Sequence, residues 1–291
     1  MQTILVTGGT GTLGRHVVAR LRDAGREVRV LSRHGPRDGK GNKEGIEFVA
    51  GDLATGMGID AAVDGAEIIV HCAGGAKGDG DKALNLVRAA ARAGGVRHLA
   101  FISVVGADKV PVVSGIDRAM FGYFASKLAA ERAVADSGLP WTTLRATQFY
   151  DTLMLVARQM AKLPVIPLPS GFRFQPIDPG EVGIRLAELA LGAPTGLAPD
   201  IAGPKVYQTD ELIGEYLRAS HKRRPIIPLW LPGKAARAVR SGVILAPDRA
   251  VGRRTWEEFL AERVGSPGDG ASNQPVQPSE RGEQSHALNQ R

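Results

Sequence analysis

The feature that most constrains this chain is a short apolar strand that runs directly into a cluster of glycines and then into an amphipathic helix. Residues 3–7 supply the strand, and Gly9, Gly11 and Gly14 follow it with G-x-G-x-x-G spacing. Apolar residues then recur at helical spacing. This order brings free backbone N–H groups and the positive end of a helix dipole to one point, which suits a phosphate-bearing ligand.

The glycine cluster predicts a dinucleotide site, because each glycine has its own task in such a loop. One permits the tight turn, one lets the backbone approach the pyrophosphate, and one lets the helix pack closely on the sheet. A glycine-rich turn without a ligand is the alternative, but the match is unique in the sequence and follows the first apolar run. The predicted pyrophosphate contacts are Gly8, Gly9, Thr10, Gly11, Thr12, Leu13 and Gly14.

Apolar strands alternate with amphipathic helices over the first half of the chain, which is typical of a parallel sheet. The predicted helices cover residues 12–24, 80–94 and 117–137. The predicted strands cover residues 2–6, 27–32, 46–50, 66–72, 97–103 and 141–147. Right-handed crossovers then give an α/β fold with a doubly wound parallel sheet, the Rossmann fold, whose core spans about residues 1–149.

Prolines interrupt this alternation after residue 150, so residues 150–264 are predicted to form a small C-terminal α/β lobe over the substrate edge of the sheet. Asp178 as N-cap, Pro179 at the first helical position and Glu181 three residues after the cap predict one helix. Further helices are expected near Thr209, near Gly233 and over residues 254–260. The core and lobe together make an NAD(P)-binding unit of residues 1–264, and residues 265–291 have the composition of a disordered tail.

Composition sets the class of protein. Hydrophobic residues make up 43% and charged residues 23% of the 291 residues, which is enough to bury a large core. No apolar run has the length of a membrane span and no secretory pattern opens the chain, so we expect a cytoplasmic protein. The single cysteine, Cys72, has no metal-ligand spacing around it; it is expected to be a packed thiol in a reducing compartment, and no metal site is predicted.

Positive charge is concentrated in residues 218–254, which hold ten Lys or Arg against one acid, Asp248. A solvated cationic surface is one interpretation. The neighbouring apolar residues 225–232 favour a second one, a peripheral contact with a membrane surface. Binding to nucleic acid is the third, but no nucleic-acid-binding signature accompanies the charge, so no specific nucleic acid is expected.

The end of the second predicted strand bears on cofactor choice, because NAD-selective sites carry an acid there for the ribose 2′-hydroxyl. This chain has Ser32 and Arg33, a hydroxyl and a guanidinium that suit a 2′-phosphate, with Arg15 as a second candidate. NADP(H) is therefore favoured over NAD(H), although Arg33 has the alternative of an ordinary solvated charge. Asp52, after the third strand, is a candidate acceptor for the adenine amino group or a turn cap.

The candidate catalytic residues are Tyr123, Lys127 and Ser103. Tyr123 and Lys127 lie four apart on a predicted helix and so share a face, and Ser103 ends the preceding strand. Catalysis by a phenol near neutral pH is expected to need a pKa several units below its usual value of about 10, lowered jointly by the ammonium group and by the positive nicotinamide of the oxidised cofactor. The alternative makes Tyr123 a packing residue and Lys127 a ribose contact only.

Several segments together resemble atypical short-chain dehydrogenase/reductases of the NmrA-like, NAD(P)H-binding group. They are residues 7–14, 51–53, 102–108, 123–131 and 137–149. The resemblance implies bound NAD(P)(H), with Leu53, Ala73, Gly74 and Lys127 among the cofactor contacts, and either reductase activity or nucleotide sensing. The chain departs from the active pattern at His71-Cys-Ala-Gly74, where many active members have Asn-Ala-Gly, and Ser103 precedes Tyr123 by more than the usual spacing.

The favoured function is an NADPH-dependent oxidoreductase that transfers hydride to a small carbonyl or quinone-like acceptor. In this interpretation Tyr123 donates the proton, Lys127 anchors the ribose and Ser103 positions the acceptor. A redox sensor, regulator or accessory subunit that binds the nucleotide without turnover is the alternative, and a nucleotide-sugar epimerase is a weaker one. Gln148, Phe149 and Phe174 are candidate acceptor contacts, while the sequence specifies neither the acceptor nor the oligomeric state.

Overall fold

The computed structural model describes residues 2–33, 45–75 and 77–264 of the chain, so the tail predicted at residues 265–291 lies outside the described residues. The strands are, in chain order, β1 (Thr3–Thr7), β2 (Glu27–Ser32), β3 (Ile46–Ala50), β4 (Ala66–His71), β5 (His98–Val104), β6 (Trp141–Ala146), β7 (Ile166–Pro169), β8 (Arg173–Phe174), β9 (Gly196–Leu197), β10 (Tyr207–Gln208) and β11 (Ile226–Leu229). The helices are α1 (Gly14–Asp23), α2 (Ile59–Val63), α3 (Asp79–Ala93), α4 (Gly115–Ala135), α5 (Tyr150–Met160), α6 (Pro179–Leu191), α7 (Thr209–Ala219), α8 (Lys234–Arg240) and α9 (Trp256–Val264).

The main sheet has seven strands in the order β3-β2-β1-β4-β5-β6-β9, and every neighbouring pair is parallel. This is the strand order of the Rossmann fold. The chain adds strands outward on one side of β1 and then crosses to the other side at β4, so the strand order reverses between β1 and β4. Ligands of such sheets bind outside the carboxyl ends of the strands at that reversal. The predicted fold class is confirmed, and the first six strands start and end within one residue of their predicted bounds.

Helices cover both faces of the sheet, as double winding requires. Helices α1 and α6 pack together on one face, where their buried side chains meet the inward residues of β1, β2 and β4. Helices α2, α3 and α4 cover the other face. The strands are apolar runs because both of their faces are buried; β5, for example, is buried at all seven positions.

Two local expectations need correction. Helices α2 and α5 were not predicted; α2 has only five residues, and neither helix begins with a side-chain cap. Helix α6 begins as expected, with Asp178 Oδ1 accepting from Gly180 N at 2.6 Å. Glu181 does not complete a capping box, because its Oε1 instead accepts from the backbone N–H groups of Arg253 and Arg254, which ties α6 to the segment before α9.

The lobe consists of two small sheets, β8 with β10 and β7 with β11, together with α5, α7, α8 and α9. Its own core is built around the stacked rings of Tyr150, Trp256 and Phe259. Helix α6 and strand β9 lie beyond residue 149 but belong to the main sheet, so core and lobe alternate along the chain. No helix among residues 2–33, 45–75 and 77–264 combines the length and apolar character of a membrane span.

Candidate functional site

The glycine loop between β1 and α1 is folded as tightly as its sequence predicts. Gly11 N donates to Gly8 O at 2.9 Å, which closes the turn. A Cβ on Gly14 would lie 2.1 Å from Gly8 O, so only glycine fits at the start of the helix. This close contact lets the first turn of α1 face the open end of the sheet, where Thr10, Gly11 and Thr12 are at least partly exposed.

The first turn of α1 is suited to an anion. It contains no acidic residue, and no side chain caps its N-terminal N–H groups. The N–H groups of Arg15, His16 and Val17 already donate to backbone carbonyls, so the donors left for a phosphate at the positive end of the helix dipole lie before Arg15. Leu13 packs into the core of the sheet and has only its backbone left for this purpose.

The ends of β2 and β3 carry the residues proposed for the adenosine half of a cofactor. Arg33 is exposed in the bend directly after β2. Asp52 Oδ1 accepts from Ala54 N at 2.9 Å, which is the turn-capping role given above as its alternative. Leu53 is buried, and its carbonyl accepts from Asn85 Nδ2 at 2.9 Å, which attaches this loop to α3.

Lys127 lies buried between the carboxyl ends of β4 and β5. Its Nζ donates to Ile102 O at 3.3 Å and lies 3.2 Å from Asp79 Oδ2. Gly74 packs directly against this ammonium group: a Cβ at position 74 would lie only 2.8 Å from Nζ. Burial lowers the pKa of Lys127, and the Asp79 carboxylate opposes this effect.

Asp79 is a central residue that the sequence did not reveal. It is fully buried at the start of α3, where Oδ1 accepts from Gly75 N at 2.9 Å and from Lys82 Nζ at 3.2 Å. Its own N–H donates to Ser126 Oγ of α4 at 2.9 Å. In the sequence, an acid at the start of a helix indicates only an ordinary cap or a partner of the helix dipole. The tertiary structure is needed to show that Asp79 neutralises Lys127.

Tyr123 lies one turn before Lys127 on α4, with its ring centroid 5.9 Å from Lys127 Nζ and an edge contact to Phe124. The residue is 39% exposed. Desolvation, followed by the charge of Asp79, raises the pKa of Tyr123 to about 12. In the protein alone, burial and Asp79 thus move this pKa upward, and the lowering expected with the oxidised cofactor bound stays a prediction.

Buried polar atoms without a hydrogen-bond partner lie where β5 and β6 end. They are Ser103 Oγ, Thr147 Oγ1 and both amide atoms of Gln148. Ser103 is 4% exposed and follows Ile102, the residue whose carbonyl binds Lys127. Buried polar groups are nearly always paired in folded proteins, so a group of orphans at this edge indicates a ligand site. Thr147 carried no signal in the sequence.

His71, the first residue of the segment His71-Cys-Ala-Gly74, has a structural role. Its Nδ1 lies 2.7 Å from Thr7 Oγ1 on the neighbouring strand, and its ring stacks on Phe101. Burial, reinforced by the charge of Lys127, lowers the pKa of His71 to about 3, so the ring is neutral. Burial likewise raises the pKa of the Cys72 thiol to about 12, which leaves it unreactive.

A buried ion-pair cluster holds α4 against the sheet. Arg145 of β6 binds Glu131 of α4 through two bonds of 2.8 and 2.7 Å, and binds Asp108 at 3.0 Å. These bonds raise the pKa of Arg145. Glu131 lies one turn after Lys127, so the cluster fixes the height of the helix that carries Tyr123 and Lys127.

Comparison with known proteins agrees with this geometry. A family model described as NAD(P)H-binding matches residues 8–159, which span the glycine loop, the site under Gly74 and most of α5. The chain belongs to the NAD(P)H-binding family. The predicted resemblance to NAD(P)H-binding short-chain dehydrogenase/reductases is thereby confirmed, and the matched range contains all of the candidate catalytic and cofactor residues.

Three similar proteins are informative. A reductase of (4-alkanoyl-5-oxo-2,5-dihydrofuran-3-yl)methyl phosphate from Streptomyces griseus is 30% identical over 217 residues, covering 74% of this chain and 73% of the relative. A ceramide reductase from Caulobacter vibrioides is 34% identical over 179 residues, covering 57% of this chain and 54% of the relative. The solved structure of an NADPH-dependent quinone oxidoreductase from Escherichia coli in complex with NADPH aligns with a TM-score of 0.70 at 19% identity, covers 89% of this chain and 99% of that chain, and shows the shared fold.

Proposed function

We propose that the chain is an NADPH-dependent reductase that transfers hydride to a small carbonyl or quinone-like acceptor. The observation that carries the proposal is the grouping at the ends of β4 and β5. Lys127 is held under Gly74 and against Ile102, the unpartnered hydroxyl of Ser103 is next to that contact, and the ring of Tyr123 is one helical turn away. A nucleotide-binding sheet needs no such group for binding alone.

The residues present fit a dinucleotide. The backbone N–H groups of the glycine loop just before Arg15, together with the close turn that Gly14 permits, would hold the pyrophosphate. Arg33, exposed after β2, would hold the 2′-phosphate that distinguishes NADPH. Lys127 and the backbone at Ala73 and Gly74 would hold the nicotinamide half.

The proposed roles follow from protonation states and position. When bound, NADPH supplies the hydride. Tyr123 is protonated at neutral pH, because with a pKa of about 12 only about one phenol in 10⁵ is ionised at pH 7, so it is ready to donate a proton to the oxygen of the acceptor. Ser103 would hydrogen-bond the same oxygen, and Thr147 and Gln148 would bind the other polar groups of the acceptor.

The related reductases and an exposed face of α4 both support an acceptor that carries an apolar chain. The names of the two reductases given above describe an alkanoyl compound and a ceramide, both of which carry carbonyl groups and hydrocarbon chains. In this chain Ile116, Met120 and Tyr123 share one face of α4, with exposed fractions of 68%, 49% and 39%. Such a stripe leading to the proposed proton donor suits a substrate with an apolar chain.

The test is to mix the purified protein with NADPH and a panel of quinones, aldehydes and long-chain ketones while the absorbance of NADPH is followed. Consumption that depends on one acceptor class supports the reductase. Tight binding of NADPH with no acceptor reduced would instead support the alternative, a non-catalytic nucleotide sensor or accessory subunit. In a separate assay with the oxidised cofactor, conversion of a nucleotide sugar with no net reduction of that cofactor would support an epimerase.

We expect Arg33→Ala to weaken NADPH binding by about tenfold to a hundredfold, because a charge-assisted hydrogen bond to phosphate contributes about 1.5–3 kcal/mol. NADH lacks the 2′-phosphate, so its affinity should stay almost unchanged. Calorimetric titration of both cofactors measures the difference, and Arg26→Ala, on the turn before β2, serves as a charge-matched control. Equal weakening of both cofactors would refute the assignment of Arg33.

We expect kcat/KM for the acceptor, measured at saturating NADPH, to stay level between about pH 6 and about pH 8.5. The reason is that burial and Asp79 raise the pKa of Tyr123 to about 12, so the donor keeps its proton throughout this range. Steady-state rates across the range provide the measurement. A loss of activity with an apparent pKa near 7, the result expected of a phenol with a strongly lowered pKa, would contradict this assignment.

A further inference from the structure

The segment of residues 221–230 is exposed at every position, although it contains four large apolar side chains. Ile226, Ile227, Leu229 and Trp230 are 36%, 53%, 46% and 67% exposed. Strand β11 belongs to this segment and pairs with β7 along one edge only, so both of its faces remain uncovered in the described part of the chain. Single exposed apolar residues are ordinary, but four within five positions form a patch that indicates an interaction surface. We call residues 222–230 the exposed strip.

Cations border this patch. Lys222, Arg223 and Arg224 precede β11, are exposed, and make no ion pair with a described residue. Lys234 and Arg237 of α8 are exposed on the other side of Trp230. Arg218 pairs with Glu215 and Arg254 with Asp178, whereas Arg249 and Arg253 are exposed and make no ion pair with a described residue. Five exposed cations thus flank the apolar side chains in the sequence.

Trp230 is held in place rather than loose. The guanidinium of Arg240 lies 4.0 Å from the centroid of its ring and also donates to Leu231 O at 2.8 Å. Helix α8, which carries Arg240, is anchored to α4 through the cluster that contains Phe121, Ala236 and Val239. The strip is thus a preformed surface on the folded lobe, fixed to the helix that bears the candidate catalytic residues.

We propose that the exposed strip docks on an anionic lipid membrane. Ile227, Leu229 and Trp230 enter the interface between headgroups and acyl chains, while Lys222, Arg223 and Arg224 bind the lipid phosphates. Apolar side chains with a tryptophan, bordered by cations, are the combination that binds this interface. A second copy of this chain fits less well, because a symmetric contact would bring the same unpaired cations face to face. The inference does not depend on the proposed reductase activity.

The test is sedimentation of the full chain with vesicles of phosphatidylcholine alone or mixed with phosphatidylglycerol. We expect the protein to pellet with the mixed vesicles, to be released by high salt, and not to pellet with phosphatidylcholine alone. The fluorescence of Trp230 should shift to the blue on binding; the other tryptophans, Trp141 and Trp256, are half-buried and fully buried.

Three variants make the test specific. I227S/W230S removes the apolar contact and K222Q/R223Q/R224Q removes the charge, and each should reduce pelleting to the level without vesicles. Met57→Ser is the matched control, since Met57 is 68% exposed on another surface and its loss should change nothing. Binding of either cofactor, measured by calorimetry, or an unchanged circular dichroism spectrum shows that each variant is folded.

Four other outcomes would overturn the proposal that the exposed strip binds a membrane. Failure of the folded wild-type protein to pellet with anionic vesicles overturns the proposal, as does unchanged pelleting of both strip variants. If light scattering shows a dimer that I227S/W230S dissociates, the strip is a contact between two copies. If an oligonucleotide binds more tightly than the vesicles and competes with them, the surface is a nucleic-acid site.

Discussion

Tyr123→Phe is expected to lower kcat for acceptor reduction by about 10²–10⁴-fold, the usual contribution of a general acid. Affinity for NADPH should remain unchanged, because the ring is kept and with it the contacts to Lys127 and Phe124. Only the proton that we assign to the acceptor oxygen is removed. Stopped-flow absorbance of NADPH measures the hydride step, and fluorescence titration of NADPH measures binding.

Tyr216→Phe is the matched control for this prediction. Tyr216 is buried in α7 within the core of the lobe, away from the β4 and β5 ends, so removing its hydroxyl should leave kcat unaltered. A Tyr123→Phe enzyme that reduces the acceptor at the wild-type rate would show that another group donates the proton. The structure would then leave Tyr123 with its packing role.

Asp79→Asn is expected to destabilise the fold by about 3 kcal/mol, since it leaves the buried ammonium group of Lys127 without its carboxylate. The value is at the lower end of the usual range because an amide oxygen can still accept from Gly75 N. For a chain of this size the loss corresponds to a fall in Tm of about 6–12 °C. Urea and thermal unfolding followed by circular dichroism give both quantities.

Two further variants make the Asp79 prediction specific. D79N/K127M removes both charges and should be more stable than D79N alone, because no unpaired charge stays buried. Asp81→Asn removes an exposed acid from the same first turn of α3 and should cost less than about 0.5 kcal/mol. If D79N and D81N are equally stable, the pair between Asp79 and Lys127 is not the contact that stabilises the site.

Most of the fold follows from local patterns that the sequence displays. The strands of the sheet are apolar because both faces are covered, the glycine loop needs close backbone contacts, and Asp178 caps a helix that begins with proline. These features depend on a few neighbouring residues. The short strands β7 to β11 contain prolines or only two residues, so their pairing depends on the tertiary structure and no local pattern reveals it.

The candidate site likewise contains residues that local sequence patterns reveal and a residue that only the tertiary structure reveals. Tyr123 and Lys127 can be recognised because their spacing places them on one helix face, and Ser103 because it ends a strand. The partner of Lys127 comes from a different helix, α3, and its charge adds to desolvation in raising the pKa of Tyr123. A charge that acts across two packed helices leaves no pattern in the linear sequence.

The return of α6 and β9 to the main sheet has a consequence for protein engineering. Cutting the chain after β6 would strip the last strand from the sheet edge and uncover the apolar residues against which α6 packs. The nucleotide-binding core is therefore not a transplantable module. Chimeras between relatives must graft residues 150–176 and 203–264 separately and keep residues 177–202 of the recipient.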